Sequence, residues 1–287
     1  MSPFLFGVVN MKKNSAFLIV VPGLIIVFIC LGLPLFKVLL PTIFQGNYPA
    51  SSYVEFFQDD YYLKIFFRTV KIALITTAVC MVAGVPTAYF ISRCKKKWKG
   101  LLLAISIFPL MTNSIIRSFA WINILGTNGI INRLLTSLGI INEPAKLLYT
   151  EFSIIIGSVY LFLPLMIVTV TGVMENIEND LMEAAQSLGA NRISAFMKVV
   201  FPLSLPGIIV GSILVFTGTL TAYTTPQLLG GNRNLVLSTL IYQKALTVGD
   251  WNSASVIALI MIIITVIVIR VFNGLAARLD KRGENHG

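Results

Sequence analysis

Long apolar stretches broken by short charged connectors dominate this chain. Uncharged runs occupy Ser15–Phe36, Ile72–Ser92, Gly100–Ile116, Phe152–Met174, Pro206–Tyr223 and Trp251–Ile269. A hydrocarbon core about 30 Å thick takes roughly 20 residues of helix to cross, so each run predicts a membrane span. The third is short, but it continues past Arg117 through Trp121 to about Leu125. The pattern therefore predicts an all-α polytopic membrane protein of six transmembrane helices, at about residues 15–36, 70–92, 100–125, 152–174, 206–226 and 251–272. They form one transmembrane domain over 15–277, with an N-terminal segment 1–14 and a tail 278–287. The first run has too long an apolar core and no small-residue cleavage site for a signal peptide, so it reads as a retained span.

Composition agrees with this reading and removes the alternatives. Of 287 residues 56% are hydrophobic and 12% charged, and mean hydropathy is +0.85. Soluble domains carry about 25% charge, so a water-facing surface of this size is excluded. His286 is the only histidine, which leaves no His-based triad or metal site. Cys30, Cys80 and Cys94 lie in or beside apolar runs without CxxC spacing and read as small hydrophobes. No GxxxxGK[ST] phosphate loop occurs, so no catalytic residue, metal or cofactor is expected in this chain.

The net charge of +10 follows topology. Lys12, Lys13, Arg93, Lys95, Lys96, Lys97, Lys99, Arg192, Lys198, Arg278, Lys281 and Arg282 all fall on one side of the six spans. Cytoplasmic loops collect lysine and arginine, so both termini are expected in the cytoplasm and no nucleic-acid surface is implied.

One inner connection, 175–205, is more than a connector. Asn179 or Asp180 can cap a helix over Leu181–Leu188, Gly189 can end it in the left-handed region, and a second short helix is expected from about Asn191 to Val199. Pro202 and Pro206 then steer the chain into the membrane. Leu181, Ala184, Ala185 and Leu188 share one shallow face. An elbow helix lying on lipid is the other reading, but Glu175, Glu178, Asp180 and Glu183 would be repelled by anionic headgroups.

Glu183-Ala184-Ala185, Gly189 and Leu205-Pro206 resemble the EAA loop of permease subunits in bacterial ABC importers. Ser204-Leu205-Pro206 departs from the Ile-x-Leu-Pro ending of that loop. Ile116–Trp121, Asn128–Asn132 with Leu138-Gly139, Pro226–Gly231 and Asp250-Trp251 resemble the polyamine-type (spermidine/putrescine) permease class. Permeases for ferric ion, thiamine, opines and phosphonates share much of this layout.

The resemblance implies a type I importer-like fold and a loop that couples to a cytoplasmic ATPase through Glu183, Ala184, Ala185, Leu188, Gly189 and Pro206. In it, Glu183 pairs with a basic group, the alanines allow close packing and Gly189 makes the turn. The implied partners are a second permease subunit, two ATPase copies that bind ATP and magnesium, and an outer solute-binding protein. That protein would dock on the loop with Gln227, Leu228, Gly230 and Gly231.

For the translocation pathway, Thr217, Thr221, Tyr223 and Thr224 on the fifth span are candidates, with Asn113, Arg117 and Trp121 at i, i+4, i+8 on the third. The threonine hydroxyls can instead bond carbonyls of the preceding turn, and Arg117 can snorkel to the interface. Gly207 and Gly211 form a close-packing pair. No Asp or Glu lies inside a predicted span. That argues against an ion-coupled carrier, which needs intramembrane acids.

Overall fold

The computed structural model describes residues 21–44, except 24 and 27, and residues 51–284; among them every regular element is helical. The expected N-terminal segment 1–14, the start of the first span at 15–20 and the last residues of the tail lie outside the described residues.

The chain divides into two compact units, Met1–Glu55 and Phe56–Gly287. In the first, a π-helical turn Phe28–Gly32 runs into α1 (Leu33–Phe44), so helix continues past the expected end at Phe36. Thr42 Oγ1 and Tyr53 Oη lie 2.6 Å apart. Helix α2 (Ser51–Gln58) leads into the second unit.

The second unit is built on three long helices. They are α3 (Asp60–Ser92), α7 (Glu151–Met174) and α9 (Arg192–Thr221); a fourth, α11, starts at Trp251. All four are long and apolar enough to cross a membrane. Helix α11 extends without a break to Glu284, through most of the expected tail. Between α3 and α7 lie α4 (Lys96–Met111), α5 (Ser114–Leu125) and α6 (Ile130–Ser137). The connection expected on the inner side carries α8 (Asn179–Ser187), and the loop after α9 expected on the outer side carries α10 (Leu237–Tyr242).

Lipid offers no hydrophobic force to press helices together, so their contact rests on close packing, which small residues permit. A Cβ on Gly84 of α3 would lie 2.6 Å from Met166 Cγ of α7. On α9, a Cβ on Gly207 would lie 3.0 Å from Thr169 O, and one on Gly211 2.6 Å from Thr169 Oγ1 and 2.7 Å from Met166 Sδ. The glycine pair thus meets α7 directly. Around these contacts Cys80, Met166, Val170, Met174 and Val215 are fully buried. Gly211→Val is expected to force α9 from α7, at about 1–3 kcal/mol for an overpacked core, and to lower the thermal midpoint in detergent. Gly172→Ala, where nothing lies within 4 Å, should leave it unchanged.

Two expectations change. The third span is not one straight helix: α4 and the Ser114–Ser137 segment meet at 93°. Thr112 and Asn113 are extended, and the Asn113 side chain caps α5 by accepting from the N–H groups of Ile115 (2.8 Å) and Ile116 (3.4 Å). A cap that satisfies the new helix's free donors makes a restart there favourable. The second short helix of the inner loop is not separate either. It begins at Arg192 and runs into α9 through a π turn at Phe196–Val200. Pro202 has no N–H to give, and the wider turn before it returns the Phe201 N–H to Phe196 O, so helix carries through.

Candidate functional site

The inner hairpin is built from local chemistry. Helix α8 starts after Glu178, which makes no side-chain cap; Asn179 and Asp180, the two expected caps, are its first residues. At the other end the Gly189 N–H donates to Gln186 O (2.9 Å) and the Ala190 N–H to Ala185 O (3.1 Å). These two bonds form a Schellman turn with Gly189 at the left-handed position, φ +90°. Asn191 then caps α9, accepting from the Ser194 N–H at 2.7 Å.

The face of α8 divides. Leu181 and Ala184 point outward, as does Leu188, which is 91% exposed. Ala185 is half-buried against the core, and Met182 is the residue turned inward, at 8% exposure. Glu178, Asp180 and Glu183 are exposed, so the hairpin offers a small apolar ridge edged with carboxylates. Pro206 is not part of it; it lies inside α9, beyond the π turn.

Two residues of α3 to which sequence reasoning gave no structural role, Tyr89 and Arg93, hold this hairpin to the helix. The Tyr89 hydroxyl donates to Met182 Sδ at 2.9 Å, and its ring meets Phe196 edge-on at 4.9 Å. The Arg93 guanidinium lies 5.6 Å from the Tyr89 ring centre and donates through Nη1 to Ile177 O (2.9 Å) and to Asn179 Oδ1. Lys99 pairs with Glu175 at 3.2 Å. The Tyr89 and Arg93 spacing of four residues on one helix face was the available signal; in sequence Arg93 counted only as an inner charge. A groove of about 830 Å³ opens between this end of α3 and the hairpin.

At the opposite end of the bundle, Asn113 and Arg117 are committed to the break in the third span. Arg117 is buried, at 8% exposure, and donates through Nη1 to Pro109 O (3.0 Å) and Thr112 O (3.3 Å). It therefore closes the carbonyl end of α4, where a cation is favoured, instead of facing a pathway or snorkelling along a straight helix. Trp121 packs edge-on against the exposed Tyr160 at 5.7 Å.

The threonine hydroxyls of α9 bond backward, Thr217 to Ile213 O (2.7 Å) and Thr221 to Thr217 O (2.8 Å). The two side chains still sit at the end of an outward stripe with Val210 and Leu214. Thr224 is half-buried. Tyr223 stacks on Tyr242 at 4.5 Å, beside a cleft of about 380 Å³ that Thr221, Ser238 and Trp251 also line. Asp250 caps α11 by accepting from the Ser253 N–H at 3.0 Å. Hydrogen bonds from the Ser253 side chain and backbone, with help from Lys244, hold its carboxyl below the usual range.

The outer loop after α9 is tied to its neighbours. Leu229 O accepts from the Tyr149 N–H (2.9 Å) and from Ser153 Oγ (2.8 Å), and Gly230 is buried against Ile154. Gln227, Leu228 and Gly231 are half-buried.

With this geometry in place, three kinds of likeness bear on the chain. Residues 80–284 match the family described as the binding-protein-dependent transport system inner membrane component. The spermidine/putrescine transport system permease protein PotB of Escherichia coli (strain K12) is 32% identical over 226 residues, covering 79% of this chain and 82% of that protein. PotB of Haemophilus influenzae is 32% identical over 234 residues, covering 82% of each.

Among solved structures, a bacterial ABC transporter that imports the acidic polysaccharide alginate aligns with TM-score 0.72 at 18% identity, covering 92% of this chain and 95% of that one. The alginate transporter in complex with its alginate pentasaccharide-bound periplasmic protein aligns at 0.76 and 17%, covering 92% and 94%. These two share the fold. The bundle of long apolar helices with its exposed inner hairpin, and the match across most of its length, place this protein in the bacterial inner membrane: the chain belongs to the family of inner membrane components of binding-protein-dependent transport systems.

Proposed function

We propose that this chain is a permease subunit of an ATP-driven importer for polyamines of the spermidine/putrescine class. The observation that carries it is the inner hairpin: an exposed ridge of Leu181, Ala184 and Leu188 with Glu183 beside it, set by a left-handed Gly189. Among the described residues nothing covers that apolar ridge, and a cytoplasmic ATPase with a basic-edged cleft fits it. The names borne by the PotB relatives support the solute class.

In this reading the bundle has six spans with both termini in the cytoplasm. It works beside a second permease, two ATPase copies that hold ATP and magnesium, and an outer solute-binding protein. The chain itself needs no cofactor and catalyses no reaction. ATP-driven closure of the ATPases carries the hairpin with it, and α9, continuous with the hairpin through Arg192, rocks with it. Such a cycle requires ATP to favour the outward state differentially, since equal affinity for both states shifts nothing. With no carboxylate inside the spans, a passing polyamine cation is met by aromatic faces such as Trp121 and Tyr223, at about 0.5–2 kcal/mol each.

Reconstituted uptake of labelled spermidine tests this. Excess unlabelled spermidine or putrescine should abolish the signal, while ferric ion, thiamine and aminophosphonate leave it intact. Competition by one of the latter, with none by polyamines, would overturn the solute assignment.

A further inference from the structure

Tyr149 is the one non-glycine residue with a left-handed backbone among the described residues, φ +58°. A bulky side chain is strained there, and such strain persists where the surroundings hold it and concentrates at functional positions. Three contacts hold it. Its N–H donates to Leu229 O (2.9 Å), its carbonyl accepts from Asn234 Nδ2 (2.7 Å), and its ring lies over Gly231, where an added Cβ would come 3.0 Å from Cδ1.

Glycine at 149 would make both backbone bonds without strain, so those bonds give no reason for a phenol ring. Tyr149 is 50% exposed. Beside it Asn232 and Arg233 are exposed. The Arg233 backbone is anchored, its carbonyl accepting from Arg68 Nη1 (3.3 Å). The nearby acid Glu151 is taken up by Lys71 (2.8 Å) and Arg68 (3.3 Å). Lys146, just upstream, is exposed, with Glu143 the remaining exposed acid of that loop. An exposed aromatic residue on a fixed backbone, with an exposed arginine two residues beyond the glycine it covers, has the composition of a protein-contact centre, and the surplus of positive charge favours an acidic partner.

We propose that Tyr149, Asn232 and Arg233 are the contact by which the outer face receives the solute-binding protein, which meets them with an acidic rim around a shallow recess for the ring. This moves the docking surface away from Leu228–Gly231, of which Leu229 and Gly230 are buried. It rests on the importer reading above and its outward orientation.

The test uses the assembled transporter in lipid nanodiscs, titrated with solute-loaded binding protein, with ATP hydrolysis as readout. Tyr149→Gly is expected to keep or raise the thermal midpoint and the maximal rate while raising the half-saturating binding-protein concentration tenfold or more. Tyr149→Phe should stay near wild type, and Arg233→Glu should shift the titration like Tyr149→Gly, by less at high salt. A Tyr149→Gly titration superimposable on wild type would overturn the proposal, as would a fall in its thermal midpoint, which would make the ring structural. Failure of the importer reading shows itself elsewhere: the wild-type complex would not respond to binding protein at any concentration.

Discussion

Gly189→Val is expected to strip the ATPase from the solubilised transporter while the permease still inserts and folds. At φ +90° the position admits glycine freely, whereas a left-handed residue with a Cβ costs roughly 1–2 kcal/mol and a β-branched one is a genuine outlier. No atom lies within 4 Å of the site a Cβ would take, so the penalty is one of backbone alone and cannot be relieved by repacking. The chain escapes by abandoning the left-handed turn, and with it the bonds from Gly189 N–H to Gln186 O and from Ala190 N–H to Ala185 O. The last turn of α8 then frays, and the Leu188 end of the ridge loses its place. Since about 1.4 kcal/mol is tenfold in affinity, ATPase recovered with tagged permease should fall tenfold or more. Asparagine tolerates the left-handed region better than other residues with a Cβ, so Gly189→Asn should retain most of the binding. Full recovery of ATPase with the valine variant would refute the hairpin as the joint.

Arg93→Ala should act differently: the complex assembles and hydrolyses ATP, but fewer solutes cross per ATP. The hairpin touches α3 along an edge, with the 830 Å³ groove beside it, so the link depends on few contacts. One is the guanidinium, which reaches Ile177 O and Asn179 Oδ1 on the approach to α8. Hydrogen bonds from a charged donor contribute about 1.5–3 kcal/mol, less here because Arg93 is half-exposed. Without them the hairpin can follow the ATPase while α3 stays behind. Uptake divided by phosphate released in proteoliposomes should drop several-fold. Arg93→Lys should restore it only in part, since both bonds come from Nη1, at the far end of a side chain one bond longer than lysine's. An unchanged ratio in the alanine variant would assign the movement to α9 alone.

Much of the hairpin was legible because its chemistry is local. Helix formers before Gly189 and an asparagine after it determine a turn through bonds between residues three to five apart. The break in the third span was half legible. Pro109 and Asn113 are visible in the sequence, but the uncharged, mostly apolar run across them reads as one span, because hydropathy is blind to direction. Arg117 was read as a residue along a straight helix, and the 93° bend instead turns it back on Pro109 and Thr112. The hydroxyls of Thr217 and Thr221 look the same in sequence whether they bond the preceding turn or line an opening. They bond the turn and still lie on an outward stripe.

The amino-acid order by itself determined that this protein is helical and lives in a membrane. Each residue's preference for lipid or water is its own, and such preferences add along a run whatever surrounds it. It also determined the hairpin, whose bonds close within a few residues. Only the tertiary structure decided which helix faces meet through glycine, that α9 runs unbroken into the hairpin, and that Tyr89 and Arg93 grip it. It also decided that Tyr149 is held in a conformation it would not choose alone. Those are contacts between segments distant in the chain, and they exist only once the helices have packed.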